Sequence, residues 1–84
     1  MPDIALLTPE IREFIITRPW PERVEFKLTE QDGMIHIVFF RDTFILLTGE
    51  EQLQVTNVVK DIMFKLRPQG IPIYTAKMES SNYG

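Results

Sequence analysis

The chain contains no cysteine. Disulfides, thiolate nucleophiles and cysteine-ligated zinc are therefore excluded. It has a single histidine, His36, which excludes a histidine-rich metal site. The glycines Gly33, Gly49, Gly70 and Gly84 are scattered and make no phosphate-cradling loop. No run approaches the roughly 18 apolar residues of a membrane span. The N-terminus lacks a basic region followed by an apolar stretch, so no signal peptide is expected, and a cytoplasmic protein is. Nine Lys and Arg against twelve Asp and Glu give a net charge of −3. A broad basic surface that grips a phosphate backbone is excluded as the main feature.

What is present is one small domain. The 84 residues are 44% hydrophobic, enough for a single core over residues 1–78, with the polar residues 79–84 expected to be a disordered tail. A domain of this size buries only about 60–65% of the surface its unfolded chain exposes. Without disulfide or metal, oligomerisation is the expected supplement.

Thr8-Pro9-Glu10 is a helix start: a capping hydroxyl, a proline suited to the first turn and an acid at the positive end of the dipole. Ile11, Phe14 and Ile15 follow on one face, and Pro19 and Pro21 around Trp20 stop the helix near Thr17. From Arg23 the period becomes two. Val24, Phe26 and Leu28 alternate with Glu25, Lys27 and Thr29, as in a half-buried strand. Gln31-Asp32-Gly33 is a turn signal. Residues Met34 to Phe40 read as a second strand, apolar on both faces. After Arg41-Asp42, residues Thr43 to Leu47 read as a third. Pro72 makes Ile71-Pro72-Ile73-Tyr74 an edge strand or an extended arm.

Residues 48–67 admit two readings. As a helix, Thr48-Gly49-Glu50-Glu51 is a capping box, and Val55, Val58, Val59, Ile62, Met63 and Leu66 share a face. Leu53 and Phe64 then lie opposite that face, in solvent. As strands, Leu53 and Val55, then Ile62, Phe64 and Leu66, alternate with polar neighbours around a corner at Val58 to Asp61. This second reading buries Leu53 and Phe64, and the β-branched content favours it slightly.

In the strand reading, the organisation resembles the Sm/LSm family, which includes the bacterial host-factor RNA chaperone. The likeness covers roughly residues 8–67. It is carried by Thr8-Pro9 opening a short helix, by Val24-x-Phe26-x-Leu28 followed by Asp32-Gly33, and by Phe40-Arg41-Asp42 before the apolar run Thr43 to Leu47. The stretch Asn57 to Phe64 resembles the corner joining the last two strands. The resemblance implies a mainly β fold: a short N-terminal helix followed by a five-stranded, strongly bent antiparallel barrel. It also implies a homo-oligomeric ring that binds single-stranded RNA at its inner rim. The positions so implicated are Arg41, Asp42, Thr43 and Phe44, together with Thr56, Asn57 and Lys60.

The alternative is an α+β sandwich of order αβββαβ, a structural or protein-interaction module with no nucleic-acid ligand, in which exposed Leu53 and Phe64 dock a partner. Under either reading no enzyme, metal, small-molecule cofactor or membrane contact is expected. Glu50-Glu51 lacks a positioned partner for acid–base work. Ser80 and Ser81 fall in the tail. His36 reads as a partly buried side chain bonded to a neighbour, and Trp20 as a pin that holds its loop to the body.

Overall fold

A computed structural model describes residues 6–79, with the side chains of residues 75–77 outside that description. The elements run α1 (Pro9–Ile16), β1 (Phe26–Gln31), β2 (Met34–Phe40), α2 (Arg41–Phe44), α3 (Gly49–Leu66), a 3₁₀ turn (Arg67–Gln69) and β3 (Ile73–Glu79). Among the described residues three strands form one open mixed sheet of order β1-β2-β3. The hairpin β1–β2 is antiparallel, with Phe26 opposite Phe39 and Gln31 opposite Met34. Asp32 and Gly33 turn it with φ of 53° and 72°. Two consecutive positive φ values match the right-handed twist of the flanking strands, and Asp-Gly supplies them at low steric cost. The return strand β3 pairs parallel to β2, with Ile73 opposite Ile35. A parallel return needs a crossover, and α2 and α3 provide it.

The core lies between one sheet face and the helices. Ile35, Ile37 and Phe39 from β2, Ile73 from β3, Ile15 from α1 and Val55, Val58, Ile62 and Leu66 from α3 form a single buried cluster. The α3 residues recur every three or four positions, so they make one stripe. An aromatic row ties the connections to this core. The Trp20 ring centroid is 4.6 Å from that of Phe26 and 5.9 Å from that of Phe39, and Phe44 is also 5.9 Å from Phe39. The Trp20 indole donates to the Ile15 carbonyl at 2.8 Å, so it does pin the Pro19–Pro21 loop to α1.

The five-stranded Sm-like barrel, and with it the mainly β class, is not formed: the sheet is open, and α3 is the longest element. Two segments account for the difference. Residues 48–67 take the helical reading. The Thr48 hydroxyl accepts from the Glu51 N–H at 3.1 Å, and the Glu51 carboxylate accepts from the Thr48 N–H at 2.9 Å, a complete capping box. Leu53 and Phe64, whose burial favoured strands, are 61% and 75% exposed. The expected strand Thr43 to Leu47 is instead the turn of α2 and the loop after it. Ile45 N–H donates to the Arg41 carbonyl, and Leu47 N–H to that of Phe44. Phe44 packs against the core and Leu47 is buried, a spacing of three, while Ile45 and Leu46 are each 66% exposed. A strand would have alternated instead.

The αβββαβ alternative is closer, but its expected strand Thr43 to Leu47 is not formed, and the observed sheet is mixed where three antiparallel strands were expected. The double-sided apolarity of β2 follows from its central place. Val38 faces away from the helices yet is 1% exposed. Lys27, opposite Val38, reaches over the middle strand to Glu79 at 3.0 Å, and its apolar stem covers that face. Glu79, expected in the tail, belongs to β3; the remainder of that tail, 80–84, lies outside the described residues. Among the described residues no helix is long and apolar enough to cross a membrane.

The two sides of α3 predict opposite mutational outcomes. Ile62→Ala empties a fully buried position and is expected to cost about 2–5 kcal/mol. Phe64→Ala, two residues on, is expected to change stability by less than about 0.5 kcal/mol. Urea denaturation followed by circular dichroism distinguishes them; equal losses would contradict the helical placement.

Candidate functional site

The same periodicity that buries Val55, Val58, Ile62 and Leu66 leaves Leu53, Asn57, Lys60 and Phe64 on the opposite side of α3. Their spacings of four, three and four residues set them along one line. At 1.5 Å per residue, Leu53 and Phe64 are about 16 Å apart. The stripe ends in a trough of about 370 Å³ between Lys60, Met63, Phe64, Arg67 and Pro68. Pro68 builds its far wall because it sits in the 3₁₀ turn that ends the helix. Gly70, at φ 83°, reverses the chain, and the Ile71 N–H donates back to the Leu66 carbonyl at 3.2 Å. This closure of the last turn is what glycine past a helix end permits.

The trough has apolar walls and two cations at its rim. Arg67 is held by donating Nη2 to the Ile73 carbonyl at 3.2 Å. Lys60 is exposed and makes no ion pair with a described residue. The nearest acid in sequence, Asp61, lies to the side and faces Arg18 at 3.7 Å. The local charge is therefore positive although the chain is acidic overall. Among the described residues no group of three His, Asp or Glu side chains is placed to hold a metal ion.

At the other end of α3 the capping residue Glu51 also receives Arg23, whose Nη2 donates to its Oε1 at 2.7 Å and to the Leu46 carbonyl at 3.0 Å. One guanidinium thus ties the exposed Ile45–Leu46 loop to the start of the helix. The Arg23 hydrogen bond, followed by the backbone hydrogen bond from Thr48, holds the Glu51 carboxyl below its ordinary range.

The residues implicated by the ring resemblance do not share one element. Arg41 and Asp42 are exposed in α2, where the Thr43 hydroxyl donates to the Phe40 carbonyl at 3.1 Å and Phe44 turns toward the core. Thr56, Asn57 and Lys60 are exposed on α3, and the Thr56 hydroxyl donates to the Gln52 carbonyl at 3.2 Å. Asn57 and Lys60 lie on the stripe, with Thr56 on its flank. The trough walls Met63 and Pro68 and the rim cation Arg67 were not among the candidate site residues, and Met63 was read as part of the buried stripe of the helix. The spacing Lys60, Phe64, Arg67 carries that signal once a helix is assumed. His36 behaves as expected: its Nε2 lies 3.2 Å from the Gln31 carbonyl, and its ring meets Tyr74 edge-on at 5.5 Å.

Set against known proteins, the chain matches no family model, no curated protein and no solved structure.

Because Glu51 has a lowered pKa in the folded chain, its contribution to stability is present above the unfolded value, about 4.3, and is lost as pH falls through the folded one. Glu51→Gln keeps the cap geometry but loses the ion pair. Its melting temperature is expected to lie below wild type at pH 7 and to converge with it in acid. A gap that persists at the lowest pH of the native range would show that Glu51 stabilises the chain independently of its charge.

Proposed function

We propose that the protein is a non-catalytic protein-interaction module whose docking surface is the outer face of α3. The observation that carries this is Phe64, an aromatic side chain 75% exposed at the lip of an apolar trough, the most exposed of the large apolar residues among those described. A large aromatic beside a concavity is the kind of anchor that dominates protein interfaces. The rim favours a partner of opposite sign. A short amphipathic segment with glutamates beside an apolar residue would seat that residue against Met63, Phe64 and Pro68 and bring its carboxylates to Lys60 and Arg67.

Single-stranded RNA is the competing ligand. It is supported by Lys60 and Asn57, but the rim that would have joined them to Arg41 and Phe44 belonged to the barrel.

The test uses a fluorescein-labelled synthetic peptide of leucines at every fourth position between glutamates. Anisotropy should show saturable binding, weaker at high salt and weakened about tenfold or more by Phe64→Ala and by Lys60→Glu. Labelled oligo-U and oligo-A should not bind at low salt. Peptide binding that ignores both substitutions would overturn the reading. Oligonucleotide binding lost on Lys60→Glu would replace it with the nucleic-acid one.

A further inference from the structure

Among the described residues no strand pairs with the outer edge of β1, and the chemistry of this edge can be followed without reference to α3. The Phe40 N–H donates to the Glu25 carbonyl, so Glu25 turns its backbone toward β2. In an antiparallel ladder this alternates. Lys27 and Thr29 therefore also face β2, while Phe26 and Leu28 present their N–H and C=O groups outward. Beside this edge runs a groove of about 620 Å³ whose apolar lining includes Ile16, Val24, Phe26 and Leu28. Ile16, the last residue of α1, is 51% exposed there. Further along the strand the edge is covered, since the Glu30 carboxylate accepts from the Leu6 and Leu7 N–H groups at 3.1 and 3.2 Å. The open stretch is thus Val24 to Leu28.

We propose that this edge pairs with the same edge of a second copy, antiparallel about a two-fold axis at Phe26, to make one continuous sheet across the two copies. Charge selects both the occupant and the register. Only registers that oppose outward-facing residues can form ladder hydrogen bonds. With Phe26 opposite Phe26 of the second copy, Glu25 stands directly across from Lys27 of the second copy, and symmetry repeats the pair. Shifting one strand by two residues sets Lys27 against Lys27 of the second copy, which is repulsive. Shifting it by four sets Lys27 against Thr29 of the second copy, which is neutral. Opposite charges directly across a strand pair stabilise it and like charges oppose it.

The Glu25 carboxylate makes no ion pair with a described residue. Lys27 already meets Glu79 at 3.0 Å and would lie between two acids. In this register Phe26 N–H donates to the Phe26 carbonyl of the second copy, and Leu28 N–H to the Val24 carbonyl of the second copy, each twice by symmetry. The apolar residues of the two grooves meet on the helix side. Such an interface is isologous and closes on itself, giving a dimer and no ring. The ladder spans only Val24 to Leu28, so association in the weak, transient class is expected.

Sedimentation equilibrium on the full chain at about 100 µM should show a dimer. Glu25→Lys alone and Lys27→Glu alone each set like charges across both pairs, and each should dissociate about tenfold more readily. An equimolar mixture of the two restores an opposite-charge pair at both positions and should recover wild-type association. A monomeric wild type overturns the proposal. So does a dimer that both single variants leave unchanged, which would place the contact elsewhere, or a mixture that associates no better than its parts. None of these outcomes depends on Phe64, so the α3 reading stands or falls separately.

Discussion

The packing of one stripe of α3 on the helix-facing side of β2 and β3 is the contact on which the rest of the molecule depends. Val55, Val58, Ile62 and Leu66 meet Ile35, Ile37, Phe39 and Ile73 in a single cluster, and α1 joins it through Ile15. A helix of eight residues such as α1 is not stable alone and persists because it closes this core. The same contact sets the topology. Once α3 lies across the sheet, the chain must return parallel to β2 rather than fold back as a further hairpin, and β3 follows. Trp20 extends the arrangement outward, because its indole hydrogen bond and its ring contacts fix the Pro-rich connection between α1 and β1.

A chain this small covers its sheet with helices on one face only, and that asymmetry decides where binding can occur. The other face is not left bare: Lys27 and Glu79 close over the central strand, and Val38 is buried beneath them. Among the described residues the far side of α3 and the outer edge of β1 remain open. The first ends in an apolar trough with cations at its rim. The second is an unpaired backbone flanked by a groove and by charges of alternating sign. The two surfaces differ in kind, since one would be read by side chains and the other by main-chain hydrogen bonds, so they suit different occupants.

Much of the fold is legible in the residues. The start and stop of α1, the β1–β2 hairpin with its Asp-Gly turn, and the edge character of the strand after Pro72 all rest on local chemistry that no tertiary contact overrides. Both faces of α3 were also visible in the helical reading of residues 48–67, down to the exposure of Leu53 and Phe64. The error lay in treating exposure of two large apolar residues as a reason against that helix. Burial is a preference of apolar residues in general, and a capping box with a continuous stripe outweighs it locally. The run Thr43 to Leu47 misled for a different reason. Five β-prone and apolar residues read equally as a strand or as a turn that buries positions three apart, and only the contacts of Phe44 and Leu47 with the core choose between them.

The sequence by itself determined the punctuation of this protein: its caps, its turns, the alternation of its hairpin and the two-sided apolarity of β2. These features depend on neighbours a few residues away, which the sequence contains. The tertiary structure alone decided that β2 is a central strand rather than a barrel wall, that β3 returns parallel to it, and that Lys60, Met63, Phe64, Arg67 and Pro68 surround one trough. Each of these is a choice between arrangements with similar local energies. It is settled by which surface the long helix covers, and that is a property of the packed chain as a whole.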